Sequence, residues 1–191
     1  MSTPAHLSIL LRAEGLAHQG RYGEAQRLCD EVLLSDAEDA AALNLKGFCL
    51  ASQGRPDAAL PCFKLARLHL PTDAGIRYNL GKALEETGDA DSALAEYEES
   101  LRLDSGYASS RVARGMLRAM RGDGAGAFED FDALVQGDPR DGRARMLRGG
   151  CHLAAGRQAE AKLDFEAALR LDESLKPQVE ALISGTLELD S

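Results

Sequence analysis

Apolar residues recur at helical spacing along this chain, and the pattern pauses at a glycine every 34 residues. The stretch 74–107 shows it most clearly, with apolar positions on both sides of Gly88: Tyr78, Leu80, Leu84, Leu94, Tyr97 and Leu101. Such spacing is typical of helices with one buried face. Because glycine readily adopts the left-handed backbone that ends many helices, Gly88 marks a turn. The pattern therefore predicts two short helices joined by a tight turn.

The same pattern occurs five times without insertion or deletion. Four ladders of equivalent positions carry it: Gly20, Gly54, Gly88, Gly122 and Gly156; Ala25, Ala59, Ala93, Ala127 and Ala161; Ala13, Gly47, Gly81, Gly115 and Gly149; Cys29, Phe63, Tyr97, Phe131 and Phe165. We predict a leader at residues 1–5 and repeats at 6–39, 40–73, 74–107, 108–141 and 142–175. Each repeat covers its apolar face with its neighbours, so we expect a linear array without one central core.

Small, aromatic and acidic positions predict how the helices pack and begin. Glycine or alanine in the third ladder, and alanine in the second, permit close approach of paired helices, and we expect the aromatic ladder to fill the space between one unit and the next. Aspartates stand where they can cap helix starts: Asp39, Asp73, Asp89, Asp123 and Asp141. Apolar residues at Val179, Leu182 and Ile183 predict a capping helix that ends near Gly185, followed by an acidic tail.

These residues resemble the tetratricopeptide repeat family, most closely from Tyr78-Asn79-Leu80-Gly81 through Gly88, Ala93 and Tyr97. The resemblance covers residues 6–175. It implies an all-α, right-handed α-solenoid of five helix-turn-helix repeats plus a C-terminal capping helix. The chain departs from the family at the seventh and eleventh positions of several repeats, which hold charged or polar residues: Arg12, Lys46, Arg114, Arg148, Arg118 and His152. The last two repeats are therefore expected to pack less tightly.

The resemblance also implies a concave groove lined by the first helix of each repeat. Carrying the family's groove positions over gives Leu10, Leu11, Asn44, Phe48, Tyr78, Asn79, Lys82, Val112, Met116, Met120, Arg143 and Met146. We interpret Phe48, Tyr78, Met116 and Met120 as apolar anchors, and Asn79 and Lys82 as polar contacts. The alternative is that several of these residues simply pack between helices. The family's carboxylate clamp is not reproduced, because Leu10 and Glu14 stand where lysine and asparagine are needed.

Arginines concentrate in the second half of the chain: Arg111, Arg114, Arg118, Arg121, Arg140, Arg143, Arg145 and Arg148. Two interpretations are open. The arginines pair within the chain with nearby acids, namely Glu129, Asp130, Asp132 and Asp138, or they form a docking place for an acidic peptide or carboxylate.

The composition disfavours several classes of function. A formal net charge of −9 and a pI near 5.0 disfavour binding to nucleic acid or anionic membranes. No window approaches the roughly 18 apolar residues of a membrane span. The four cysteines, Cys29, Cys49, Cys62 and Cys151, lack paired spacing, which indicates neither a zinc site nor disulfides and suggests a reducing, cytoplasmic location. Arg121-Gly122-Asp123 and the following glycines are interpreted as a turn. We expect no catalytic residues, metal or cofactor.

The sequence therefore predicts a non-enzymatic scaffold or adaptor that binds a peptide segment of a partner protein in the groove. One alternative is a chaperone for a secreted or membrane-inserting client. Another is a self-assembling scaffold, such as a homodimer formed through the apolar first helix, which contains Leu7, Ile9, Leu10 and Leu11.

Overall fold

The structure is a computed structural model that describes residues 4–189, with side chains described through residue 184. Within these residues the chain forms eleven α-helices, one short 3-10 helix and no strand. The helices are α1 Pro4–His18, α2 Tyr22–Ser35, α3 Ala40–Ser52, α4 Pro56–His69, α5 Ala74–Glu86, α6 Ala90–Leu103, α7 Ala108–Met120, α8 Gly124–Gly137, α9 Gly142–Ala154, α10 Gln158–Leu171 and α11 Lys176–Leu189, with the 3-10 turn at Glu173–Leu175. The first ten helices follow one another in five pairs. The predicted all-α class is confirmed.

Each pair turns at the predicted glycine. The five glycines Gly20, Gly54, Gly88, Gly122 and Gly156 have φ angles of 75°, 73°, 89°, 82° and 72°. A side chain makes this left-handed backbone unfavourable, which explains why glycine recurs there. The predicted caps also form: the carboxylates of Asp39, Asp73, Asp89, Asp123 and Asp141 each accept a hydrogen bond from the backbone N–H three residues later.

A glycine facing an aromatic ring sets the distance between the helices of a pair. A Cβ atom added to Gly81 would lie 2.6 Å from Cε1 of Tyr97, and one added to Gly47 would lie 2.7 Å from Cε1 of Phe63. Gly115 and Gly149 meet Phe131 and Phe165 in the same way. The rings therefore fill the space within a pair. The ladder also reaches the next element, as predicted, since Cys29 shares a core cluster with Ala42 and Cys49, and Phe165 shares one with Leu175 and Val179.

Two predicted boundaries need correction. α1 begins at Pro4, inside the predicted leader, because proline is well suited to a first helical turn. α11 continues to Leu189, beyond the predicted end near Gly185, since one glycine weakens a helix without ending it. The remaining leader residues 1–3, and residues 190–191 of the predicted acidic tail, lie outside the described part of the chain.

The chain divides into two compact units, residues 1–107 and 108–191. The first contains α1–α6 and the second α7–α11. Buried alanines and Cys29 pack with Leu10 and Val32 in the first unit, whereas Phe165, Met146 and Val179 pack together in the second. Among the helices of residues 4–189, none is both long and apolar enough to cross a membrane.

Candidate protein-interaction surface

An apolar groove of about 1080 Å³ lies in the second unit, among α7, α8, α9 and α11. Its lining residues are Met116, Ala119, Met120, Gly122, Gly124, Ala125, Phe128, Glu129, Phe131, Leu147, Gly150, Cys151, Ala154, Ala155, Arg157 and Leu182. We call this surface the C-terminal groove. Among the lining residues only Glu129 and Arg157 are charged. A concave, mostly apolar surface with few polar groups is typical of a binding site.

Small residues and exposed methionines give the C-terminal groove its character. Gly150 lies on α9, and a Cβ atom there would meet the methyl groups of Leu182 at 3.7 Å, so α11 borders this part of the groove. Met116 and Met120 expose 43% and 76% of their surface. Methionine is flexible and polarisable, so it adapts to differently shaped apolar partners. The groove therefore offers an adaptable apolar surface.

Phe128 is held in the groove by two neighbours. The guanidinium carbon of Arg157 lies 5.0 Å from the centroid of the Phe128 ring. The ring of His152 meets Phe128 nearly edge-on, with the centroids 5.1 Å apart. The cation over the ring face is an attractive arrangement. Phe128 is thus a positioned, half-buried aromatic side chain at the groove surface.

The groove contains some of the residues predicted from the sequence and omits others. Met116 and Met120 line it, whereas Val112 and Arg143 do not. Val112 is half-buried and Arg143 is exposed. Met146 is buried and packs in the same cluster as Val179, because the capping helix covers that position.

Residues that sequence reasoning missed complete the groove. Leu147 stands at the sixth position of its repeat, one of the family's groove positions, so a signal for it was present. Phe128 belongs to a second helix and Leu182 to the capping helix. No rule that considers first helices alone would find them.

Five more of the predicted groove residues lie on α3 and α5 of the first unit. The side-chain amide of Asn79 donates a hydrogen bond to Oδ1 of Asn44 at 2.9 Å. Nζ of Lys82 lies 3.4 Å from Oε2 of Glu85. Phe48 is 42% exposed, and its ring stands edge-on to Tyr22 with centroids 6.4 Å apart. These side chains form a half-buried polar row beside one exposed aromatic ring.

Tyr78 belongs to an aromatic cluster within the first unit. Its ring centroid lies 6.1 Å from that of Tyr97 and 5.7 Å from that of Tyr107. The hydroxyl of Tyr97 donates to Oε2 of Glu85 at 2.6 Å, and burial together with this hydrogen bond raises the pKa of Tyr97. Tyr78 therefore has a packing role as well as a half-exposed face.

The two predicted groove residues on α1 differ in exposure. Leu10 is buried in the core of the first unit, whereas Leu11 exposes 59% of its surface. Of these two leucines, Leu11 alone has a side chain that is accessible at the surface.

The arginines of the second unit turn largely inward. Asp130, whose side chain is 1% exposed, accepts two hydrogen bonds from Arg114 at 3.0 and 2.6 Å and one from Arg118 at 3.1 Å. Arg148 binds Asp164 through two hydrogen bonds at 2.8 and 2.7 Å, and this bonding raises the pKa of Arg148. Arg148 also donates to Asp132 at 2.6 Å. Hydrogen bonds thus confirm pairing within the chain for Arg114, Arg118 and Arg148, although Asp164 was not among the predicted partners.

This pairing explains the two departures at the eleventh position. Arg118 and His152 occupy equivalent places, and each faces a buried aspartate: Arg118 lies 3.1 Å from Asp130 and His152 lies 3.8 Å from Asp164. The apolar contact usual at this position is replaced by a polar contact with a buried carboxylate. Arg111 and Arg145 add a further cation to each aspartate at 3.7 and 3.6 Å.

Two sequence motifs have structural explanations. Gly122 takes a φ of 82° in the turn after α7, and Asp123 caps α8, so the Arg121-Gly122-Asp123 tripeptide forms an ordinary repeat turn. Cys29 and Cys49 are fully buried, and burial raises the pKa of Cys29 to about 12 and that of Cys49 to about 11. Thiols with such pKa values stay protonated at neutral pH, which makes them poor nucleophiles.

Comparison with known families agrees with the helix pairs and turn glycines. The tetratricopeptide repeat family matches residues 16–74, 52–108 and 112–175. The chain belongs to the tetratricopeptide repeat family. The fold and this membership support a protein–protein interaction scaffold. None of the curated proteins compared with the chain matches it significantly.

Solved structures share the fold at low sequence identity. PilW, described as a widely conserved type IV pilus biogenesis factor, is 18% identical with a TM-score of 0.85, over 98% of this chain and 88% of that one. YrrB, described as a tetratricopeptide repeat protein with an unusual peptide-binding site, is 20% identical with a TM-score of 0.73, over 91% and 89%. MamA is 22% identical with a TM-score of 0.76, over 86% and 96%.

Proposed function

We propose that this tetratricopeptide repeat protein is a non-enzymatic adaptor that binds an apolar segment of a partner protein in the C-terminal groove. One observation carries the proposal: the groove of about 1080 Å³ presents the exposed methionines Met116 and Met120 beside the positioned ring of Phe128. Contiguous exposed apolar surface of this kind is uncommon on monomeric proteins unless it serves an interaction.

The lining residues indicate the chemistry of the partner. A groove with two charged and many apolar residues suits an amphipathic helix that buries one apolar face. Glu129 and Arg157 are available to opposite charges at the edges of that face. The description of YrrB as a peptide-binding protein supports this assignment by analogy of fold.

The first unit offers a second candidate contact surface. Phe48 supplies an exposed aromatic anchor, and Tyr78 a half-exposed one. The Asn44–Asn79 amide pair and Lys82 present polar groups of the type that hold an extended backbone. A partner segment that binds the first unit would use these groups.

A variant series tests the groove. Peptides are selected from a random library on the purified protein, and the Kd of the best peptide is measured for wild type, Met116→Glu and Leu163→Glu. Met116→Glu should weaken binding at least tenfold, about 1.4 kcal/mol, because the carboxylate must lose water against an apolar segment. Leu163, 66% exposed on α10 and outside the groove, is the control.

The outcome is decisive when both variants keep the wild-type helix content by circular dichroism. Unchanged peptide affinity in Met116→Glu would remove the groove from the proposal. A chaperone for a secreted or membrane-inserting client would use the same apolar groove. It would be distinguished by a client that aggregates when the adaptor is absent.

Self-association through α1 is a second candidate, favoured by two exposed leucines on one face. Leu7 and Leu11, four residues apart, expose 55% and 59% of their surface. Such a pair can form a self-complementary contact between two copies. Light scattering should then give a dimer mass that Leu11→Glu reduces to the monomer. A monomer at all concentrations of the wild type would exclude this candidate.

A further inference from the structure

We propose that His6, Asp36 and Asp39 form a binding site for a divalent transition-metal ion, with zinc as the best match. The site lies in the first unit, where the start of α1 meets the turn between α2 and α3. One imidazole nitrogen and two carboxylate oxygens lie within 4.8 Å of one another. This revises the expectation of no metal, and it is independent of the proposed peptide-binding function.

An incompletely satisfied buried carboxylate is the first observation. The side chain of Asp39 is 1% exposed. Its Oδ1 accepts the capping hydrogen bond from the backbone N–H of Ala42 at 2.9 Å. Its Oδ2 is buried and accepts no hydrogen bond within the described residues. A buried carboxylate oxygen is unfavourable unless a proton donor or a cation compensates its charge.

The hydrogen bonds around His6 aim its other ring nitrogen at this oxygen. The hydroxyl of Ser35 donates its one proton to the carbonyl of Val32 at 2.9 Å. The same hydroxyl must therefore accept from Nε2 of His6, which lies 2.9 Å away. Nδ1 of His6 then faces Oδ2 of Asp39 at 3.8 Å. The ring nitrogen and the buried carboxylate oxygen therefore lie side by side.

A metal ion between Nδ1 of His6 and Oδ2 of Asp39 would bind both atoms and compensate the charge of the buried carboxylate. Zinc binds histidine nitrogen and carboxylate oxygen at about 2.0–2.2 Å, so two ligand atoms 3.8 Å apart are within reach of one ion. Ser35 would act as the outer partner that fixes the ring, a common feature of metal-bound histidines. Asp36, which is half-buried and ends α2, supplies the third ligand.

The donor set favours zinc over the hard cations. Imidazole suits zinc, copper, iron and nickel, whereas magnesium and calcium prefer oxygen alone. Three protein ligands leave a fourth position of a tetrahedral zinc site for water or a partner's side chain. Because the ligands come from α1 and from the turn after α2, bound zinc would also stabilise the packing of the first helix pair.

A second histidine–aspartate pair shows why spacing alone does not define the site. Nε2 of His152 lies 3.8 Å from Oδ2 of Asp164, and the two side chains are 13% and 6% exposed. Both oxygens of Asp164, however, accept hydrogen bonds from Arg148. Arg145 adds positive charge 3.6 Å away. A metal ion is excluded there, so His152 provides a matched control.

The test is a zinc titration of the full chain after chelator treatment, followed by calorimetry. Wild type should bind a single zinc ion in this site. His6→Gln and Asp39→Asn should each weaken zinc binding at least tenfold, the lower end of the losses usual for altered metal sites. Asp39→Asn keeps the oxygen that caps α3, so the fold is preserved. His152→Gln should bind zinc like wild type.

Cobalt absorption provides a second readout of the ligands. Cobalt bound to the wild type should show visible bands that His6→Gln removes and His152→Gln retains. Two results would overturn the proposal. Wild type that binds no zinc would show that His6 and Asp39 form only an ion pair, and equal zinc affinity in wild type, His6→Gln and Asp39→Asn would place the ion elsewhere.

Discussion

Replacing Gly81 by alanine tests the packing of glycine against an aromatic ring. Gly81 lies inside α5, where alanine is normally favoured over glycine by about 1 kcal/mol. Here the new Cβ atom would lie 2.6, 2.8 and 3.2 Å from three carbon atoms of the Tyr97 ring. Tyr97 is fully buried, and its hydroxyl donates a hydrogen bond to Glu85, so the ring has little freedom to move away.

The magnitude follows from two opposing effects. Overpacking a core costs about 1–3 kcal/mol, and two contacts under 3.0 Å place this site in the upper half of that range. Subtracting the gain of about 1 kcal/mol in helix propensity leaves a net loss of about 1–2 kcal/mol. We therefore expect Gly81→Ala to lower the free energy of unfolding, against the usual effect of this substitution in a helix.

Urea denaturation followed by circular dichroism measures the effect. Gly15→Ala is the matched control, because Gly15 lies inside α1 and nothing stands within 4 Å of its added Cβ atom. This variant should raise the free energy of unfolding by about 0.5–1 kcal/mol, and with it the urea midpoint. Gly115→Ala repeats the test against Phe131 in the second unit. If Gly81→Ala stabilised the protein as Gly15→Ala does, the ring contact would not limit helix spacing.

Two further predictions concern buried ionisable groups. Asp130→Asn should lower the free energy of unfolding in urea by about 3 kcal/mol, because Arg114 would face a neutral amide in a buried site, while Asp57→Asn on the surface should stay within about 0.5 kcal/mol. Stability should also fall as the pH rises above about 9, where the thiol of Cys29 ionises in the unfolded chain. Burial holds the folded pKa of Cys29 at about 12, so Cys29→Ala should make the stability curve flatter between pH 9 and 12, whereas an unchanged curve would contradict the assignment.

The repeat explains why the helix pairs could be predicted from the sequence. Glycine at the turn and aspartate at the helix start act within a few residues of their own position. The roles of Gly88 and Asp89 can therefore be predicted from the local sequence. Each role is then repeated at a fixed interval. The burial of Met146 could not be predicted in this way, because it depends on a helix that begins 30 residues later, at Lys176.

The candidate sites were less predictable, because they combine residues from distant segments. Met116 and Met120 followed from the family's groove positions, but Phe128 and Leu182 come from helices outside those positions. The buried ion pairs carried a readable signal, since Asp130 and Asp164 are one repeat apart, each 16 residues after an arginine.

The proposed metal ligands gave no motif at all. His6 is separated from Asp36 and Asp39 by about one repeat, and both aspartates stand in a turn where acidic residues serve as ordinary caps. Only folding places the histidine nitrogen opposite the buried carboxylate oxygen.

Methionine methyl NMR would test the central claim, that the C-terminal groove binds a partner segment, most directly. The chain has four methionines, so each labelled methyl group can be assigned by substitution. Met116 and Met120 line the groove, whereas Met146 is buried in the core and serves as the internal reference. A library-selected peptide should shift the methyl resonances of Met116 and Met120 and leave that of Met146 in place. Saturating peptide binding that moves neither groove methionine would contradict the account.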